Sequence, residues 1–190
     1  DKVIREFVNG IQQGDEKRYA EDGSMMYHHS YVNGFQEGEQ RDYSNGKLFR
    51  KWFMKGGLDE GTSEFYYESG KIHSRNYWVA GEPEGLHEQF YESGSVSLRG
   101  NYHNGTEVGI WESFYDGGQI AWRGEYKNGK ISGKDQTWSE DGTSDSETTY
   151  VDGIEHGPAW YLGFGSFSDG GASGHGIPAR YDGQYGNGNT

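Results

Sequence analysis

Cysteine is absent from this 190-residue chain, which excludes a disulfide framework and thiol chemistry and leaves the redox compartment open. Aliphatic residues are scarce. Only 31% of the chain is hydrophobic, too little for a compact globule of this size to build a core. No apolar run approaches the length of a membrane span, so no membrane insertion is expected. Positive charge is short as well: 17 Lys and Arg face 30 Asp and Glu, a net charge of -13. That balance disfavours nucleic acid, whose backbone calls for clustered cations, and disfavours an anionic membrane surface. What the chain does have is glycine, 33 residues, and aromatics at 16%. Disordered chains are poor in aromatics, so the composition fits an extended sheet rather than disorder.

The glycines are periodic. Gly70, Gly94, Gly118 and Gly142 follow one another at steps of 24 residues, and so do Gly81, Gly105, Gly129 and Gly153. A third series, Gly61, Gly85, Gly109, Gly133 and Gly157, keeps the same step. One residue is missing between Gly38 and Gly46, the only length irregularity before Gly157. A period of 20 to 50 residues decides the architecture before any local reading does.

Each unit reads as a pair of strands. Val96, Leu98 and Tyr102, then Ile120, Trp122 and Tyr126, alternate along what would be first strands. Asn104-Gly105 and Asn128-Gly129 follow, a dipeptide that tolerates the positive φ of a tight hairpin turn. A second strand through Trp111 and Phe114 leads to the turn at Asp116-Gly117-Gly118. No segment shows helical periodicity. The expected fold is all-β: an elongated, twisted antiparallel sheet of stacked β-hairpin repeats, a single-layer solenoid, with structural turns at Gly81, Gly85, Gly94, Gly105, Gly109, Gly118, Gly129 and Gly133. Equivalent residues lie two strands, roughly 9.5 Å, apart. Two aromatic columns follow, Tyr19, Tyr43, Tyr66, Phe90, Phe114 and Trp138, and Tyr31, Met54, Trp78, Tyr102, Tyr126 and Tyr150. Both are expected to form the stacked core.

At these residues the chain resembles the MORN repeats (membrane occupation and recognition nexus), and among them the second, bacterial variant. Gly70-Lys71-Ile72, Gly81, Gly85, Phe90-Tyr91 and Gly94 carry the resemblance, with Trp78 where the family has Tyr. Coverage runs from about Asp1 to Gly157. Departures are Gly56-Gly57 in place of Asn-Gly, and Ser144 where an aliphatic is due. The resemblance implies an elongated, twisted sheet of stacked hairpins. Bacterial members are often labelled antitoxin components, and no catalytic residues come with the family.

Residues 1-157 are therefore expected to form an array of about six repeats, the first truncated, and residues 158-190 an aromatic cap and a Gly-rich tail. Trp160, Tyr161, Phe164 and Phe167 make up the cap, because position 166 is Ser where a closing glycine is due. The tail could alternatively dock into a partner. The start at Asp1, without Met and part-way through a repeat, favours a secreted, periplasmic or cell-surface protein cut from a larger one over a cytoplasmic one.

Motifs for catalysis are thin. Gly171-Ala172-Ser173-Gly174-His175 resembles a nucleophile elbow only in outline. The seven histidines lack metal-ligand spacing, and Asp141 to Asp145 matches no standard calcium loop. Asn104-Gly105-Thr106 fits a glycosylation sequon but is explained by its turn. No catalytic residue, metal or cofactor is expected. Arg75, Arg99 and Arg123 recur at one position, as cross-strand partners of carboxylates would. Tyr67, Tyr91, Trp111 and Tyr115 are expected to stand exposed as an aromatic strip beside Glu68, Glu92 and Asp116, a surface able to anchor a protein segment. The expected function is a non-catalytic scaffold for a protein partner. A carbohydrate-binding surface, and a structural subunit that self-associates, are the alternatives.

Overall fold

The computed structural model describes residues 1–157 and 159–161. Among them there is no helix, and the strands form one large open antiparallel sheet with a small separate hairpin at Phe7–Val8 and Ile11–Gln12. Pairing is sequential. Gly85–Phe90 pairs with Val96–His103, then Thr106–Phe114, Ile120–Lys127, Lys130–Trp138 and Ser144–Val151 follow in order. The sheet continues in register past Gly157: Trp160 pairs with Glu147 as Gln136 does on the other side. Trp160 and Tyr161, expected in the cap, thus add a short strand to the same sheet. Phe164, Phe167 and the Gly171 to His175 motif lie outside the described residues.

Two kinds of turn alternate. At Asn104-Gly105 both residues take positive φ, +48° and +72°, the type I′ geometry that matches strand twist. The turn glycines dock on the unit before. The N–H groups of Gly34, Gly57, Gly81, Gly105, Gly129 and Gly153 donate at 2.8–3.0 Å to the carbonyls of Gln12, Gln36, Asp59, Pro83, Glu107 and Ile131. Glu37, Glu60 and Glu84 accept the neighbouring turn N–H of Gly56, Ala80 and Asn104. At the opposite edge, Gly94 closes the turn with its N–H on the Tyr91 carbonyl, while the Tyr91 N–H bonds to the Ser95 carbonyl. In the shortened unit this loop becomes Asn45-Gly46, both at positive φ, with Ser44 paired directly to Lys47. One residue is lost in the turn and the register beyond it is kept.

The core does not lie on the aromatic columns, whose members are mostly half-buried. It runs along the position two residues after each second glycine: Glu16, Gln40, Ser63, His87, Trp111 and Asp135. Their cross-strand partners are His29, Trp52, Asn76, Gly100, Gly124 and Thr148. Gln40 is 0% exposed, its amide donating to the carbonyls of Ser30, Glu37 and Gly38 while its oxygen accepts from the Ser30 N–H. Trp111 lies over Gly100, where an added Cβ would sit 2.0 Å from the indole. Size and polarity change from unit to unit along this line, so each unit is packed for its own neighbour.

Two outcomes are expected. Gly100→Ala should destabilise by about 1–3 kcal/mol through overpacking, and Trp111→His should reduce that cost in a double-mutant cycle of thermal melts. The second concerns acid. Burial lowers the His87 pKa to about 4, because the charged imidazolium is poorly solvated there. With the folded value below the ordinary 6.5, stability is complete above that pH and falls as pH drops toward 4. His87→Gln should remove this part of the acid destabilisation, read as the melting temperature between pH 7 and pH 4.

Candidate functional site

One position further along the second strands, side chains point to the other face. There a ladder of opposite charges crosses the sheet. Register sets Lys51, Glu64, Arg75, Glu88, Arg99, Glu112 and Arg123 on consecutive strands. Lys51 Nζ lies 2.8 Å and Arg75 Nε 3.1 Å from the Glu64 carboxylate. Glu112 receives Arg99 at 2.7 Å on one oxygen and Arg123 at 2.6 Å on the other. The recurrent arginines do pair with carboxylates across strands.

The two signs differ in depth. The Glu64 and Glu112 side chains are 10–12% exposed, whereas those of Arg75, Arg99 and Arg123 are 43–52% exposed. Burial alone would raise the Glu64 carboxyl, but hydrogen bonds from Lys51, Tyr66 and Arg75 outweigh it and hold the group at about 2. Glu112 is likewise held low against its burial by Arg123 and Arg99. The arginines thus form the outer layer on a chain that is acidic as a whole.

Aromatic rings lie beneath that layer on one side, with the Arg99 guanidinium 5.1 Å from the Phe114 ring centroid. Two residues toward the type I′ turns, on the same face, stand Phe53, Tyr77, Leu86 and Ile110, each 44–50% exposed. At one end of the two rows Glu39, Lys51, Phe53, Thr62, Glu64 and Arg75 line a shallow groove. The sequence reading missed this apolar row, because its members share a face only through register and not through a common residue type.

The expected aromatic strip is corrected. Trp111 is 7% exposed in the core line, and Tyr67, Tyr91 and Tyr115 are half-buried at the closing turns. Strand alternation stops at Tyr66, Phe90 and Phe114, so the tyrosines that follow do not share the side of Trp111. Their hydroxyls are engaged: Tyr67, Tyr91 and Tyr115 donate to the carbonyls of Phe90, Phe114 and Trp138 in the next unit at 2.6–2.8 Å. Burial first, then nearby carboxylates such as Glu92 and Asp116, raise the pKa of Tyr67. Gly81, Gly94, Gly105, Gly118 and Gly129 take positive φ in turns, whereas Gly85, Gly109 and Gly133, expected as turns, take positive φ within the strands Gly85–Phe90, Thr106–Phe114 and Lys130–Trp138.

Asp141 accepts the Thr143 N–H at 2.8 Å, which makes its loop an Asx turn. His28, His29 and His103 each meet one carboxylate, of Asp15, Asp42 and Glu84, at 2.9–3.0 Å. Among the described residues no group of three or more His, Cys, Asp or Glu could hold a metal.

The family model of the MORN repeat variant matches residues 12–33, 59–79, 83–104 and 107–128. The chain is a MORN repeat protein. The unmatched stretch 34–58 contains the shortened loop, yet its hairpin, Gly38–Ser44 with Lys47–Lys55, pairs like the others. Repeats of this class are commonly modules that bind proteins or membranes. No curated protein matches the chain. Among solved structures, accessory secretory protein 1,2 and 3 of Streptococcus pneumoniae is similar at 19% identity and a TM-score of 0.31, over 50% of this chain and 19% of that one. A mutant S. aureus TarM in complex with Fondaparinux, alpha-GlcNAc-glycerol and UDP is similar at 8% identity and a TM-score of 0.29, over 68% and 21%. The chain spans about a fifth of those structures, and overlaps at such scores define no common fold.

Replacing Tyr91 with Phe removes one inter-unit hydrogen bond and should cost about 0.5–1.5 kcal/mol. Tyr67→Phe, Tyr91→Phe and Tyr115→Phe combined should lower the melting temperature further without changing the far-UV circular dichroism of the folded state.

Proposed function

We propose that this chain is a non-catalytic scaffold that presents its arginine-bearing face to a protein partner. The observation that carries the reading is the row of Phe53, Tyr77, Leu86 and Ile110, exposed beside a ladder whose carboxylates are already satisfied. Four large apolar side chains on one line are more than scattered surface residues, and a rim of arginines supplies directional donors around them. A non-catalytic role is supported by the histidine–carboxylate pairs, which are dispersed along the array rather than gathered at one cleft.

Affinity capture with the chain as bait tests this. A variant with Phe53→Ser, Tyr77→Ser, Leu86→Ser and Ile110→Ser should keep its melting temperature within a few degrees, since the four side chains are already exposed. It should lose a protein that both the parent and the Tyr91→Phe variant retain. Capture unchanged by the four substitutions overturns the assignment of the face, and release of the captured protein by soluble sugar would favour carbohydrate binding.

A further inference from the structure

The row spacing, the charge layering and the flanking carboxylates on this face together specify a chemistry for its partner, on the reading that it is the binding surface. We propose that the face takes an extended acidic peptide lying along the array in polyproline II conformation, with a carboxylate at every third residue and an apolar side chain beside it.

Spacing is the first argument. Arg75, Arg99 and Arg123 occupy every second strand, so they recur at about 9.5 Å. A polyproline II helix rises about 3.1 Å per residue with three residues per turn, so residues i, i+3 and i+6 lie on one edge about 9.3 Å apart. An extended β-strand alternates its faces every residue and cannot keep a three-residue spacing on one side. The second edge of the same helix would meet Leu86 and Ile110, which also stand two strands apart and two residues from the ladder on the same face, with Tyr77 on the strand next to Leu86.

Charge is the second. Within the ladder Lys51, Arg75, Arg99 and Arg123 stand against Glu64, Glu88 and Glu112, four positive charges to three negative. Arg99 gives its Nε and Nη2 to Glu112 and keeps further N–H donors on a half-exposed side chain. Those donors suit carboxylates. The net charge of -13 repels an acidic ligand at long range, but that field is screened beyond about 8–10 Å at physiological salt, so contact with the arginines decides.

Width is the third. Glu39 and Glu125 flank the apolar row, and Glu68, Glu92 and Asp116 line the edge of the closing turns. A continuous anionic surface such as a membrane would press on these carboxylates, whereas a single peptide chain can lie along the arginine and apolar rows between them.

Fluorescence anisotropy with a labelled peptide of five Glu-Leu-Pro triplets tests the proposal. A peptide of identical composition, with its residues in blocks, removes the three-residue spacing. The triplet peptide should bind at least about tenfold tighter than the block peptide, and more weakly as salt rises to about 0.5 M. Leu86→Ser with Ile110→Ser should weaken it about tenfold without affecting folding, as both side chains are exposed. Arg75→Gln with Arg99→Gln should do the same; Lys51 still pairs with Glu64 and Arg123 with Glu112 in that variant. Equal binding of both peptides, binding unchanged by either variant, or no binding of the triplet peptide overturns the proposal. So does binding of phosphatidylserine vesicles through these arginines in place of the peptide. If a captured protein still depends on the apolar row while the triplet peptide fails, the face stands as a binding surface and only this partner class falls.

Discussion

The hydrogen bond from each type I′ turn glycine to a strand carbonyl just past the preceding turn sets the geometry of the whole array. It joins the turn of one unit to the strand of the unit before, so it fixes the step from one hairpin to the next. The donor is accessible only because both central residues adopt positive φ, a conformation costly for most L-residues and ordinary for Asn-Gly. Ala80 adopts it too, at +49°, which shows the array imposing the turn on a residue that does not favour it. Carboxylates of Glu37, Glu60 and Glu84 satisfy the other turn N–H, so the edge leaves little backbone unpaired there.

A single layer gives this sheet no second layer to bury its apolar side chains against. The buried apolar side chains among the described residues are Trp52, Met54 and Trp111, and most of the remaining burial is polar. Polar burial is costly unless hydrogen bonds are made, and Gln40 and Glu16 make them with several partners each. Because Gln40, Ser63, His87 and Trp111 differ in size and chemistry, a slip by one whole unit would leave polar groups unpaired or drive an indole into a backbone. The varied line gives a repetitive chain one register.

The two faces consequently have different work. One holds the core line and the Tyr102 and Tyr126 rings packed around Trp111. The other holds ion pairs in which the carboxylates are sunk and the guanidiniums stand outward. Exposed ion pairs contribute little to stability, but a carboxylate buried between two cations is destabilising once its partners are removed. Arg99 and Arg123 thereby keep two N–H groups on the fold and offer others to solvent, a division of use that a binding face can exploit without weakening the sheet.

The period, the positions of the turns, the all-β class and the pairing of Arg75, Arg99 and Arg123 with carboxylates were all legible in the residues. Each depends on local chemistry repeated every 24 residues, Asn-Gly for the turn, alternation for the strand and recurrence for the ladder. The core line was not legible, because its positions carry Glu, Gln, Ser, His, Trp and Asp and share no residue type. Nor was the fate of the tyrosines. Tyr91 and Trp111 look alike in a sequence, but one follows the end of a strand and reaches the next unit, while the other lies within a strand over Gly100. Which aromatic is buried, and which apolar row is left facing solvent, depended on cross-strand register and on where each strand stops, and those are properties of the assembled sheet.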